Sequence, residues 1–335
     1  MTHPLLSVSG LSVGFHTSSG FLPVTDGVSF DIAAGESVAL VGESGCGKSV
    51  TAKAILDLLP RPAARIISGE VRFDGVDLRA ANARRLRSIR GRDVGFVFQN
   101  PMTVLNPCYR VGEQIAERLR RYSDLDRRGA AARAVSLLAE VGIPSPEERA
   151  RAYPHELSGG MRQRVVIAIG LACNPRLLIA DEPATALDVT IQAQLMDMLR
   201  TQQEARGMSV LLITHDLGLV AQYVDRVVVM YAGQVVETAS VQALFDGPRH
   251  PYTRGLLRAV PGVTAPDEDG RLWSIGGTVP SPGALPTGCR FGPRCPRVGE
   301  SCRGSAISIR PQGQRAVRCV DPHDEDFEVG TSRSA

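Results

Sequence analysis

Gly42-Glu43-Ser44-Gly45-Cys46-Gly47-Lys48-Ser49 is the stretch that decides how this chain folds. Just before it, Ser37–Val41 is a short apolar run suited to a buried strand. Just after it, Val50–Leu59 is rich in helix formers, with apolar residues at Ile55, Leu56 and Leu59. G-x-x-x-x-G-K-[ST] between a strand and a helix is the pattern of a phosphate-binding P-loop. Its glycines let backbone N–H groups turn inward and cradle phosphate oxygens. A helix beginning near Lys48 aims the positive end of its dipole at the same oxygens. Lys48 supplies a mobile charge for β and γ phosphates, and the Ser49 hydroxyl is placed to ligate Mg²⁺. A Gly-rich turn can match the pattern by accident; the flanking strand and helix argue against that here.

The rest of the composition narrows the class. A chain of 335 residues can hold one large or two modest domains with ample core. Its 38 basic and 35 acidic residues leave a net charge of +3, which implies no nucleic-acid footprint. The longest apolar run, Val165–Cys173, is too short to cross a bilayer and is broken by Asn174-Pro175-Arg176. The start of the chain lacks a basic region followed by an apolar one, so we expect a cytosolic protein whose membrane role comes through a partner.

On the N-terminal side of the P-loop, Leu5–Phe15 and Val28–Ile32 alternate apolar and polar residues and read as strands of a half-exposed sheet. Gly69–Asp74 is a further strand. Phe15 is either a ring for stacking on an adenine base or a core aromatic. Arg79–Arg92 reads as a solvated basic helix, and Asp93–Phe98 as an apolar strand ending at Gln99, where α/β folds place ligand contacts. Two helical patterns follow, around Gly112–Arg121 and Arg128–Val141, as a helical insert in the α/β core. The insert ends at Leu157-Ser158-Gly159-Gly160-Met161, where Ser158 is a good N-cap and the two glycines leave backbone N–H groups bare. That makes a second helix N-terminus able to receive an anion.

Leu177–Ala180 is an apolar strand ending in the adjacent acids Asp181 and Glu182. Two such carboxylates are costly there unless paired with metal or water. Asp181 can hold Mg²⁺ through its water shell, and Glu182 can polarise an attacking water. Asp188 caps a helix with Ile191, Leu195, Met198 and Leu199 on one face. Ser209–Thr214 is another apolar strand, delivering His215 at its end, and Arg226–Glu237 reads as a hairpin turning near Ala232-Gly233. A lone histidine is more often structural than catalytic; the strand-end position favours the catalytic role here. From about Pro248 the chain turns rich in Pro, Gly and Arg. A short helix over Arg254–Val260 is followed by loop-like sequence around Cys289, Cys295, Cys302 and Cys319. In a reducing compartment such a cluster points to metal more than to disulfides.

In this order the elements resemble the ATP-binding-cassette (ABC) ATPases over roughly Leu5 to Asp246. Gly42–Ser49 matches Walker A, Gln99 the Q-loop and Leu157–Met161 the signature. Leu177–Glu182 matches Walker B, Ala186-Leu187-Asp188 the D-loop and His215 the switch histidine. Phe98-Gln99-Asn100-Pro101-Met102-Thr103, Asp188-Val189-Thr190-Ile191-Gln192-Ala193-Gln194, His250–Thr253 and Val279–Pro282 resemble the oligopeptide/dipeptide (and nickel) importer branch. Val104 and Ala184 depart from that branch's usual Ser and Thr, at positions that carry no chemistry.

The resemblance implies an α/β P-loop NTPase core with an antiparallel β subdomain, a helical subdomain and a Cys-containing C-terminal extension. It divides the chain at 1–246 (helical subdomain about 100–172), 247–321 and a disordered tail, 322–335. It implies ATP held by Phe15, Gly42 to Ser49 and Val50, with Mg²⁺ on Ser49, Gln99 and Asp181. Catalysis would use Glu182, His215 and Gln99. Leu157 to Met161 would act in trans on the ATP of a second ATPase subunit, with a heterodimer expected. The further partners implied are two transmembrane permease subunits and, indirectly, an extracytoplasmic solute-binding protein, with this chain peripheral on the cytoplasmic face of the inner membrane. For Cys289, Cys295, Cys302 and Cys319 the residues leave zinc and an iron–sulfur cluster open. The resemblance implies a [4Fe-4S] cluster. A soluble ABC ATPase of repair or translation is the rival class; long heptad insertions or a second cassette would mark it, and this chain has neither.

Overall fold

The computed structural model describes residues 3–18, 20–185, 187–260, 273–325 and 327. In chain order the elements begin β1 (Leu6–Thr17), β2 (Gly20–Ile32), β3 (Ser37–Val41), α1 (Lys48–Ile55), β4 (Ala64–Phe73) and β5 (Val76–Asp77). Next come α2 (Ala83–Ser88), a π-helical turn (Ile89–Asp93), β6 (Val94–Val97), α3 (Pro101–Val104), α4 (Val111–Tyr122), α5 (Arg127–Glu140) and α6 (Pro146–Arg149). Then follow α7 (Gly159–Leu171), β7 (Leu177–Asp181), α8 (Val189–Arg206), β8 (Ser209–Thr214) and α9 (Leu217–Tyr223). The last are β9 (Arg226–Tyr231), β10 (Gln234–Ser240), α10 (Val241–Asp246), α11 (Pro251–Arg258), β11 (Arg310–Gln312) and β12 (Arg315–Val317).

The chain forms two compact units. One comprises Met1–Leu5, Ile32–Ser37 and Asp74–Ile213; the other comprises Leu6–Asp31, Val38–Phe73 and Thr214–Ala335. In the first, β6, β7 and β8 run parallel, with Val94 opposite Leu177 and Leu177 opposite Ser209. Every residue of these strands is buried, as parallel strands covered on both faces must be. Gly95 lets α7 approach β6 closely, since a Cβ there would stand 2.5 Å from the Gly170 carbonyl oxygen. The helical part buries Val111, Ile115, Ala116 and Leu119 of α4 and Ala130, Ala134, Leu137 and Leu138 of α5. Arg206 of α8 ties to Glu140 of α5 at 2.6 Å.

In the second unit β4 pairs antiparallel with β1, placing Phe15 opposite Ala64. A separate set of strands runs β11-β12-β10-β9-β3. Strand β3 lies parallel to β9, with Val38 opposite Arg226. The β9–β10 hairpin turns at Ala232 (φ 43°) and Gly233 (φ 84°), consecutive left-handed residues of the kind a two-residue hairpin loop needs.

Most expected elements appear, some with shifted ends: the helix after the P-loop starts at Lys48 as expected but ends at Ile55, short of Leu59, and the Asp93–Phe98 strand shortens to Val94–Val97. Helix α8 buries Leu195, Met196 and Leu199, with Met198 only half-buried. The C-terminal segment is less loop-like than its composition predicts. Strand β12 pairs with β10, Glu237 opposite Val317, through backbone groups that carry no side-chain pattern. Residues at the start of the expected tail are docked: the His323 N–H donates to the Arg249 carbonyl, and Phe327 is buried beneath Arg254. Residues 328–335 of that tail, and Ala186 of the expected D-loop, lie outside the described residues. Among the described residues no helix is long and apolar enough to cross a membrane.

Candidate nucleotide site

In the second unit the P-loop follows β3 and feeds α1. Gly47 is the N-cap, in the left-handed region at φ 99°. Gly42 sits at φ 149°, and a Cβ on it would meet the Met230 carbonyl oxygen at 2.2 Å. Only glycine fits either position without displacing the backbone. The first-turn N–H groups of α1 have no partner within their own helix, so the loop and helix together offer donors to an anion. Lys48 is 5% exposed, and its Nζ donates to the Gly42 and Glu43 carbonyls at 2.7 and 3.0 Å. Beside it Cys46 is fully buried, and that burial pushes its thiol pKa up. Phe15 lies half-buried on β1, and His215, exposed, follows β8. Asp216, the next residue, caps α9 by accepting from Gly218 N and Leu219 N.

In the first unit Asp181, 2% exposed, ends β7, and Glu182 follows with φ 49°. For a non-glycine residue this is a strained conformation of the kind that persists only where surroundings enforce it. The Glu182 N–H donates to the Ile213 carbonyl at 2.9 Å. Its Oε2 accepts from Gln99 Nε2 at 2.8 Å and Thr185 Oγ1 at 2.9 Å. The structure therefore gathers Gln99 and Glu182 into one hydrogen-bonded group. Leu157 is buried, Ser158 Oγ caps α7 by accepting from Met161 N at 3.3 Å, and Gly159 has open space where a side chain would stand. Gly160 stands against Ile191 of α8. Asp188 caps α8 by accepting from Ile191 N at 2.9 Å.

Sequence reading missed three partners. Thr185 lies one turn past Glu182 and could have been found by spacing. Tyr252, whose Oη accepts from Glu43 N at 2.8 Å, lies in a stretch singled out only by resemblance. Arg294, paired with the Glu43 carboxylate, carried no signal at all.

Two further features stand apart. In the first unit a cavity of about 840 Å³ is edged by Arg84, Arg87, Arg92, Arg121, Arg133 and Arg176, with Asp93 and Asp124 as its acids among the described residues. In the second, Cys289, Cys295, Cys302 and Cys319 line one small cavity with His250 and Phe291. Burial raises the thiol pKa values of Cys289, Cys295 and Cys319, the last to about 11, and neighbouring thiols add to the rise. Among the described residues no group of three or more His, Cys, Asp or Glu side chains is arranged to hold a metal ion.

A parallel-stranded core, a P-loop and a strand ending in paired acids define a P-loop ATPase. The family profile described as ABC transporter matches residues 25–185, and that described as oligopeptide/dipeptide transporter, C-terminal region, matches residues 236–302. A putative peptide import ATP-binding protein of Brucella abortus (strain 2308) is 49% identical over 95% of each chain. The oligopeptide transport ATP-binding protein AppD of Bacillus subtilis (strain 168) is 47% identical over 97% of this chain and 98% of its own. Among solved structures, the dimeric ATP-binding cassette MJ0796 bound to ADP and Pi matches 70% of this chain and 98% of its own, at 27% identity and a TM-score of 0.64. The chain belongs to the ABC transporter ATP-binding proteins, in the branch that carries the oligopeptide/dipeptide transporter C-terminal region.

Proposed function

We propose that this chain is the ATP-hydrolysing subunit of an importer that carries peptides across the cytoplasmic membrane. The observation that carries the reading is Glu182, an acid on strained backbone at the end of a buried strand, oriented by Gln99 and Thr185. In this reading the P-loop amides and Lys48 bind the β and γ phosphates, and Phe15 stacks on the adenine. Glu182 takes the proton of the attacking water, and His215 steadies the γ-phosphate. Ser49, Asp181 and Gln99 would hold Mg²⁺, which neutralises charge developing on the phosphates.

The signature Leu157 to Met161 acts in trans on a partner ATPase, since one chain supplies one P-loop and one signature. A heterodimer is the expected assembly, with two permease subunits and a solute-binding protein beyond the membrane. The chain would then sit peripherally on the cytoplasmic face, and the arginine-edged cavity suits an acidic segment of a permease subunit. The test is reconstitution with the permease pair in liposomes. ATP-dependent peptide uptake that disappears with Glu182→Gln supports the reading, and uptake unaffected by that substitution overturns it.

A metal centre on the four cysteines is part of the same reading, supported by their convergence on one cavity. Their sequence spacing lacks the C-x₂-C knuckles common in structural zinc sites, and this favours the cluster over zinc. Bound there, the cluster would cross-link a segment poor in apolar residues.

A further inference from the structure

We infer that Arg294, in the segment that carries the four cysteines, is a positioning residue for nucleotide binding, holding Glu43 so that the P-loop keeps its shape when Lys48 turns to a phosphate. The inference rests on the reading of Gly42–Ser49 as the nucleotide site.

Glu43 is the second residue of the loop and is held at three points. Its carboxylate takes a two-pronged pair from Arg294, Nη1 to Oε2 at 2.6 Å and Nη2 to Oε1 at 3.0 Å. Its N–H donates to Tyr252 Oη. Its carbonyl accepts from Lys48 Nζ, as does that of Gly42. Lys48 Nζ has three donors, all spent within the loop, the last on Cys46 Sγ at 3.7 Å, so serving phosphate oxygens withdraws at least one of them, and the third hold is the one that binding can weaken. What then fixes the loop is Tyr252 and Arg294, both contributed from beyond Pro248.

Arg294 is built for that task. Its side chain is 5% exposed, and its remaining donors go to the Gly276 carbonyl at 2.8 Å, the Ile275 carbonyl at 3.2 Å and Tyr231 Oη at 3.4 Å. The guanidinium stands over the Tyr231 ring, which packs on Tyr252 with centroids 4.6 Å apart. The planar fork is thus aimed before Glu43 meets it, and a charge-assisted bidentate pair fixes direction as well as distance. The pair also holds the Arg294 pKa above its already high ordinary value, through the hydrogen bonds to Glu43 first.

A second arginine separates positioning from mere attachment. Arg290, four residues earlier, binds the Ala232 carbonyl at 2.6 Å and the Asp26 carboxylate. It fastens the same segment to the same unit through groups outside the P-loop.

The test measures MgATP affinity of the full chain and the KM and kcat of the assembled transporter. Arg294→Gln and Glu43→Gln are each expected to weaken ATP binding about tenfold, the scale of one charge-assisted hydrogen bond. The double variant should be no weaker than either single one, because both remove the same pair. Arg294→Lys should recover part of the loss, Arg290→Gln should stay within about twofold of wild type, and kcat at saturating ATP should change little in the Arg294 and Arg290 single variants. Wild-type affinity in Arg294→Gln, or an equal loss in Arg290→Gln, overturns the inference. If Arg294→Gln does not fold, Glu43→Gln alone decides by the same criterion. Lys48→Ala separates the two levels: normal ATP binding there sinks the nucleotide-site reading and this inference with it. Lost binding in Lys48→Ala beside a silent Arg294→Gln sinks the inference alone.

Discussion

Gln99 Nε2 donates to Glu182 Oε2 at 2.8 Å, so the residue that ends the β6 segment orients the acid that ends the β7 segment. The amide donor engages Oε2 and leaves the other carboxylate oxygen, Oε1, outside that bond.

From this follows the first expectation. Glu182→Gln keeps size and hydrogen bonding but removes the base, and base removal costs ~10²–10⁴ in rate. Phosphate release from the assembled complex should fall by that factor while MgATP binding stays within a few-fold of wild type. Near-normal turnover would count against Glu182 as the base.

The second concerns Ser158. Its side chain caps α7, and Gly159 beside it has open space, so a long cation at 158 would occupy the anion-receiving end. Ser158→Arg should abolish hydrolysis in the assembled complex and leave ATP binding to the chain's own P-loop intact. A cap of this kind is worth about 1 kcal/mol, so the melting temperature should drop only modestly. Full turnover by verified monomers would sink the idea that the signature works in trans.

How much of this was legible in the residues varies with the physics involved. Buried parallel strands such as Leu177–Asp181 announce themselves by unbroken apolar runs, and P-loop and signature by glycines with few other uses. The pair Arg294–Glu43 left no trace, because a contact across 251 residues depends on tertiary placement that no local pattern encodes. Strand β12 was missed for a related reason: Arg315-Ala316-Val317 is too short to show alternation, and its pairing with β10 is made by backbone. Met196 replaced Met198 on the buried face of α8 because which stripe of a helix faces inward is settled by what it packs on.

The third expectation concerns Glu140. Burial alone would raise its pKa, but hydrogen bonds and charge from Arg133, with Ser136 and Arg206, outweigh it and hold the carboxyl below its ordinary range. A lowered folded pKa means the unfolded chain binds the proton more readily, so this contribution is present above the ordinary carboxylate pKa and is lost on acidification below it. Partial exposure of Glu140 screens the pair, and Glu140→Gln should cost about 1 kcal/mol at pH 7. Urea unfolding at pH 7 and pH 3.5 checks this: the gap between wild type and variant should shrink at the lower pH. A gap that stays constant rules out the ionised pair as its source.

The last expectation concerns Cys289, Cys295, Cys302 and Cys319. They fall within a stretch of 31 residues, spaced by six, seven and seventeen, without the C-x₂-C knuckles common in structural zinc sites. Their thiols share one cavity, where burial first and neighbouring thiols second raise the pKa values of Cys289, Cys295 and Cys319, so without a cation those three resist ionising together. An iron–sulfur cluster would remove that resistance by binding all four as thiolates. Protein purified without oxygen should be brown, absorb near ~400 nm and contain iron and sulfide in equal amounts. Cys295→Ser should lose the colour and the iron, and with them part of the resistance of the C-terminal segment to proteolysis. Colourless anaerobic protein holding one zinc per chain would replace the cluster with a mononuclear site. Protein free of both metals, with four titratable thiols, would leave the cysteines as packing residues around an apolar cavity.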